Sequence, residues 1–301
     1  MKLLLQILWG WSVLANGAVG IQVETIQTNN QNIKLMKFNY NNPAFLQVAG
    51  NARKAKDYFY IRSLADANEV TFEDTKLGAF ADNIEYSLDG NSWSQLSADD
   101  VITLNSGESI LFRNPNNTVY NLSMGTNIVY TSDEYEVGGN IVQLFYPGVK
   151  LPEMAFMEAF DEDELIISAS DLKLPATVLA ESCYSSMFYG CTGLTAAPEL
   201  PATALAKSCY SLMFSRCTGL TAAPELPATV LAESCYSEMF GGCTGLTEIT
   251  CLASSGIENA TSNWLSNVAA SGTFTKAADM EDWPTGSSGI PTGWTVQDYV
   301  G

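Results

Sequence analysis

The chain's seven cysteines are its most ordered chemical feature. Six form two columns, Cys183/Cys209/Cys235 and Cys191/Cys217/Cys243, and Cys251 continues the second where a glutamate is expected. Thiolates bind soft metals and attack electrophiles. A spacing of eight within each pair fits neither a zinc knuckle nor a redox Cys-x-x-Cys. Disulfides between the columns would strand a seventh cysteine. The spacing favours small buried thiols that pack a repetitive core. Histidine is absent. This removes Ser-His-Asp and Cys-His nucleophile systems, imidazole metal sites and the usual neutral-pH base. The run Asp161-Glu162-Asp163-Glu164 lacks the alternating ligands and central glycine of a calcium loop and reads as a solvated face. Among 33 acidic residues no pair stands out at glycosidase spacing. No catalytic residue, cofactor or metal is expected, and the chain reads as a non-enzyme.

The element that positions these cysteines is a repeat. Residues 174–199 (LPATVLAESCYSSMFYGCTGLTAAPE), 200–225 and 226–251 recur with a period of 26, the first two identical at 21 of 26 positions. A worn copy precedes them at 156–175, where Phe156 and Phe160 match Tyr184 and Phe188, and Leu165 matches Leu194. Such a period predicts a solenoid with a degenerate first unit as its cap. Within each copy, Leu179 through Phe188 has the apolar spacing of a helix. Gly190 and Gly193 end it, a short extended rung follows at Leu194–Ala197, and Pro198-Glu199-Leu200-Pro201 turns into the next copy.

Positions that differ between copies are those the core leaves free: 178/204/230, 181/207/233, 186/212/238, 189/215/241 and 190/216/242. Offsets 186, 189 and 190 share one face of a helix. The candidate binding face is therefore Tyr189, Leu212, Arg216 and Glu238. The column Tyr184/Tyr210/Tyr236 could stack on sugar rings, although packing is the favoured reading.

The flanking segments differ in charge. Residues 1–56 carry six basic residues and one acid, for +5, and residues 57–301 carry eight basic and 32 acidic, for −24. An excess this acidic argues against nucleic acid as a partner. Leu3, Leu4, Leu5, Ile7, Leu8, Trp9 and Trp11 form an apolar run that is either a retained anchor or a secretory signal cleaved near Ala15-Asn16-Gly17. It is too short to span a bilayer well. Residues 24–33 read as a polar linker or extended arm.

From 57 to 150, candidate strands at 58–62, 69–72, 84–88, 101–104, 109–113, 127–130 and 141–145 predict a small β-sandwich. Asp89-Gly90 marks a hairpin. A last helix at 257–270, with edge strands at 272–276 and 294–296, is expected to cap the array. The expected class is thus mixed: an N-terminal arm (1–56), a β-sandwich (57–150), an α/β leucine-rich-repeat solenoid (151–256) and a C-terminal cap (257–301).

The units LPAT-LA-SCY–MF–CTGLTAAPE resemble the BspA-like leucine-rich repeats of gut Bacteroidetes and their phages. GTFTKA (272–277) with GIPTGWTV (289–296) resembles the carboxy-terminal cap of such proteins, and IEYSLDGNSWSQL with SGESILFR resembles the β-domain that precedes the repeats. The resemblance spans about 57–301. It implies a non-enzymatic surface or virion protein and supplies no catalytic residues. Two functions follow as expectations. One is a fibre or capsid decoration on a phage, for example a crAss-like phage. Its arm would meet capsid or other virion proteins or a homo-oligomer such as a trimer, and its repeats would meet host surface or mucus glycans or proteins. The other is an exported bacterial cell-surface adhesin.

Overall fold

The computed structural model describes residues 58–72, 83–97, 100–120, 129–281 and 283–300, and the backbone of 21–28 and 31–38. The chain divides into two compact units, 1–54 and 55–301. Among the described residues the structure is mostly β-sheet, with two short helices.

In the first unit, β1 (Ile21–Thr28) and β2 (Gln31–Phe38) pair antiparallel, with Ile21 opposite Phe38 and Thr28 opposite Gln31. The segment read as a linker at 24–33 therefore falls largely within a hairpin. Ile21, Val23, Thr25 and Ile26 supply the β-branched residues that favour extended backbone. The apolar residues Leu3 to Trp11 lie outside the described residues.

The second unit begins with two sheets. β3 (Phe59–Ser63), β5 (Glu85–Ser87), β6 (Ser94–Gln95), β8 (Ser109–Arg113), β10 (Tyr135–Asn140) and β11 (Ile166–Lys173) form one, in the order β11-β10-β3-β8-β5-β6. β4 (Asn68–Thr71), β7 (Val101–Leu104) and β9 (Tyr130–Thr131) form the other, in the order β7-β4-β9. Val101–Leu104 shows the alternation that marked it, with Ile102 and Leu104 buried. Phe72, just after β4, meets Phe112 of β8 edge-on, 5.6 Å between ring centroids. The Asp89-Gly90 signal lies between β5 and β6: Gly90 has φ 71°, and the Asp89 carboxylate accepts from the backbone N–H groups of Asn91 and Ser92.

One expected strand is a helix. Residues 141–145 form α1 (Ile141–Phe145), because Asn140 caps its start and accepts the Gln143 N–H at 2.9 Å. The strand is β10 just before it, where Gly138 and Gly139 allow close packing. A Cβ on Gly139 would lie 1.6 Å from the Tyr58 carbonyl oxygen.

The repeats are not helical. Their hydrogen bonds alternate along the chain. The N–H groups of Ser182, Tyr184, Ser186, Phe188 and Gly190 donate to carbonyls of 207, 209, 211, 213 and 215 in the following copy. The N–H groups between them, on 183, 185, 187, 189 and 191, donate three residues back. The same alternation starts in the worn copy and runs through the second and third repeats. An α-helix would send each N–H four residues back within its own segment. Here half the donors go to a neighbouring copy, so tight turns replace the helix. Every fourth residue takes a left-handed conformation: Ser182, Ser186 and Gly190, then Ser208, Leu212 and Arg216, then Ser234, Glu238 and Gly242. The buried set Cys183, Tyr184, Met187, Phe188 and Cys191 follows this period of four.

This geometry explains the invariant small residues. Ser185 and Ser211 hydroxyls donate to the carbonyls of Ser211 and Ser237 at 3.1 and 3.2 Å, which joins copies side by side. A Cβ on Gly193, Gly219 or Gly245 would meet a carbonyl oxygen of the preceding copy at 2.4, 2.9 and 2.7 Å.

The aromatic rings of Phe156, Tyr184, Tyr210, Tyr236 and Trp264 stack in sequence at 5.8–6.2 Å, and those of Phe160, Phe188, Phe214 and Phe240 at 5.2–5.7 Å. Ser168 bridges Ala196 in parallel, which makes Ile166, not Leu165, the counterpart of Leu194. Ile166 is fully buried and Leu165 only partly.

Both ends of this stack are covered. Phe145 and Tyr146 meet Phe156 edge-on at one end. Trp283 stacks on Trp264 at the other, and the Trp264 Nε1–H donates to the Gly289 carbonyl at 3.0 Å. The expected cap helix at 257–270 shortens to α2 (Ile257–Ala260), after which turns resume with Asn263 and Asn267 left-handed. β12 (Glu248–Cys251), β13 (Thr273–Lys276) and β14 (Thr295–Asp298) pair in parallel beside it.

Candidate functional site

The tyrosine column is interior. Tyr184, Tyr210 and Tyr236 are buried in the ring stack, so their faces meet neighbouring rings and no sugar. The cysteines are interior too. All seven are free and buried. Cys191, Cys217 and Cys243 donate their S–H to the carbonyls of Phe160, Phe188 and Phe214 at 2.9, 3.0 and 2.9 Å. Burial pushes the thiols of Cys183, Cys209, Cys243 and Cys251 up to about 12, so none is a thiolate at neutral pH. Cys251 does not continue the second column. It ends β12, where the chain has left the turn segment.

The acidic run divides by environment. Asp163 accepts from the Tyr135 hydroxyl at 2.6 Å and from the Leu165 N–H, which ties β10 to the worn copy. Asp161 has its carboxyl raised to about 6 by partial burial, then by Glu158 and Glu162. The run is thus a structural joint on one side and a crowded carboxylate surface on the other. Among the described residues no group of histidine, cysteine or carboxylate side chains is placed to hold a metal ion. No helix there is long and apolar enough to cross a membrane.

Three of the four face residues, Leu212, Arg216 and Glu238, sit on left-handed corners of the turns and not on a helix face, and Tyr189 stands one residue before the corner at Gly190. Leu212 and Glu238 occupy one left-handed corner of successive copies, at φ 59° and 52°, with Ser186 before them. Arg216 occupies the next corner at φ 65°, between Gly190 and Gly242. Its guanidinium lies 5.1 Å from the centre of the Tyr189 ring, a cation–π contact across two copies. The structure therefore joins Tyr189 to Arg216 and aligns Leu212 with Glu238. Glu238 and Arg216 are exposed, and Tyr189 and Leu212 half-buried.

A second set of residues was not marked in the sequence. Tyr60, Gly139, Ser170, Asp171, Lys173 and Glu199 line a cleft of about 430 Å³ where the large sheet meets the repeats. The Tyr60 hydroxyl donates to Asp171 at 2.8 Å, and Arg62 bridges to Glu136 at 3.0 Å. Along the repeats, Pro198, Glu199, Pro201, Pro224, Glu225 and Pro227 line a further groove of about 480 Å³. Glu199 and Pro201 belong to both. The only available signal was Pro-Glu-Leu-Pro recurring at 198–201 and 224–227, which reads equally well as a turn. A scan against protein-family models, a search of curated proteins and a search of solved structures each return no match.

Proposed function

We propose that the chain is a non-enzymatic structural and recognition protein, a phage virion fibre or capsid decoration. In this reading the copies form a leucine-rich-repeat solenoid between a small β-sandwich and a C-terminal cap. The N-terminal arm holds the protein to capsid or other virion proteins, and the repeats meet host surface or mucus glycans or proteins. One observation carries the reading. Near-identical copies keep the stacked rings and the thiols of both columns, and vary in five columns, two of which are aligned left-handed corners that reach exposed Arg216 and Glu238. A fixed scaffold with varied corners suits recognition. The buried, protonated thiols and the absence of histidine give catalysis little to work with.

The apolar run at 3–15, followed by Ala15-Asn16-Gly17, favours a second reading, an exported cell-surface adhesin. Intact-mass measurement on purified phage particles and on bacterial surface fractions separates the two. The first reading expects the chain in particles with Leu3–Trp11 retained. A mature chain beginning near Ala18, found only on cells, overturns it in favour of the second.

A further inference from the structure

The groove along the Pro-Glu-Leu-Pro turns is walled by prolines and edged by carboxylates. Pro198, Pro201, Pro224 and Pro227 give it apolar sides, and Glu199 and Glu225 stand exposed one copy apart. Asp171 lies in the adjoining cleft. Apolar walls with carboxylates at the rim suit lysine and arginine, whose methylene stems lie on apolar surface while the charged head reaches an anion.

The chain itself contains such a segment. Arg53-Lys54-Ala55-Lys56 places three cations in four residues, within a 56-residue stretch of net charge +5, ahead of 245 residues of net charge −24. We propose that the groove docks the basic segment Arg53–Lys56 of a second copy of this chain. The polarity of the groove favours a second copy over the same one. Lys173 lies at the end shared with Tyr60, only four residues beyond Lys56 in sequence, and Glu199 and Glu225 follow one and two copies further on. At the Tyr60 end the Asp171 carboxylate already accepts from the Tyr60 hydroxyl, and the exposed carboxylates offered to an incoming segment lie further along the repeats. Each copy then carries both halves of the contact, a head-to-tail arrangement that closes into a ring or extends as a filament. The inference does not depend on whether the protein belongs to a virion or a cell surface.

The test uses the full chain. Sedimentation velocity is measured at 50 and 300 mM NaCl for the wild type, Glu199→Lys/Glu225→Lys, Arg53→Glu/Lys54→Glu/Lys56→Glu, and an equimolar mixture of the two reversed chains. Glu69→Gln/Glu134→Gln, exposed acids away from the groove, serves as the control. The expected result is wild-type self-association that weakens at high salt. Each reversal replaces attraction with like-charge repulsion and should weaken it by about tenfold or more, and the mixture should restore association. The control should associate like the wild type. A monomer at both salt concentrations overturns the proposal, as does an oligomer insensitive to both reversals. Two reversed chains that fail to associate when mixed, each with a wild-type thermal midpoint, also overturn it.

Discussion

Among the described residues, Tyr184 and Trp283 each leave a polar atom of the ring stack without a partner, and Tyr184 is the one within the repeats. It is fully buried, and its hydroxyl has no hydrogen-bond partner among the described residues. Phe156 already fills the equivalent place in the worn copy. Tyr184→Phe should therefore raise stability by about 1 kcal/mol, the order of cost for a buried unpaired polar group. A higher urea midpoint with an unchanged slope would show it, and a lower midpoint would mean that the hydroxyl is satisfied. The corners make a second prediction. Glu238 is exposed and left-handed at φ 52°. A left-handed non-glycine residue costs about 1–2 kcal/mol, and glycine returns part of that through its freer unfolded state. Glu238→Gly should stabilise by about 0.5–1 kcal/mol. The same change at Glu233, exposed but not left-handed, should destabilise by about as much. Two aspartates set opposing pH trends. Asp161 is raised to about 6, so the native state holds its proton more tightly than the unfolded chain, and its contribution falls as pH rises from about 4 to 6. Asp89 is lowered to about 2 by the N–H groups of Ser92 and Asn91, so its contribution is present above about 4 and lost as pH falls toward 2. Asp161→Asn should remove the first trend alone, read as urea midpoints at pH 4, 5 and 6.

At the scale of elements, Asn140 decides where β10 ends and α1 begins. Asn140→Ala removes the cap and should cost about 1 kcal/mol, measured by thermal denaturation. The neighbouring apolar run Ile141–Phe145 was read as a strand because a five-residue run carries no period of its own. Val101–Leu104 and Ser109–Arg113, bounded by turn residues, were legible as strands to the residue. The repeats show a sharper limit. Apolar residues at 183, 184, 187, 188 and 191 fit a period of 3.6 as well as one of 4, and nine residues are too few to separate them. What separates them is a partner the local sequence does not contain, the next copy's carbonyls. Those carbonyls take alternate N–H groups and leave turns in place of a helix. The candidate face was chosen on the helical reading, yet three of its residues, Leu212, Arg216 and Glu238, are turn corners, where variation leaves the buried rings untouched. The column of Tyr189 is not a corner, and it is buried at Ser215 and Gly241.

Across the second unit, each copy is hydrogen-bonded to the next through equivalent backbone groups and equivalent ring stacks. Residues 200–225 can be excised with Glu199 followed by Leu226, which preserves the sequence at the join. The shortened chain should fold cooperatively with a smaller urea slope, because less surface is exposed on unfolding. Loss of cooperativity would mean that the copies are not interchangeable. The buried thiols give the whole unit an alkaline limit. Free thiols titrate near 8.5, whereas Cys183, Cys209, Cys243 and Cys251 stay protonated to about 12. The unfolded chain loses those protons first, so stability should hold to about pH 8 and fall as pH rises from 9 to 12. The repeat, its invariant core and its varied positions were all legible in the sequence. The cleft at Tyr60 and Asp171 was not, since its residues lie 111 positions apart and meet only when β10 pairs with both β3 and β11. The central claim is that aligned corners on a fixed scaffold do the recognising. Its most direct test is binding of labelled full-length protein to gut Bacteroidetes cells and to mucin, wild type against Tyr189→Ala/Leu212→Gly/Arg216→Gly/Glu238→Gly. The three glycines keep the left-handed corners, and Tyr189→Ala gives up the ring contact with Arg216, so the thermal midpoint should fall only slightly while binding drops by about tenfold or more, as loss of an interface's anchoring residues predicts. Wild-type binding by the correctly folded quadruple variant would contradict the account.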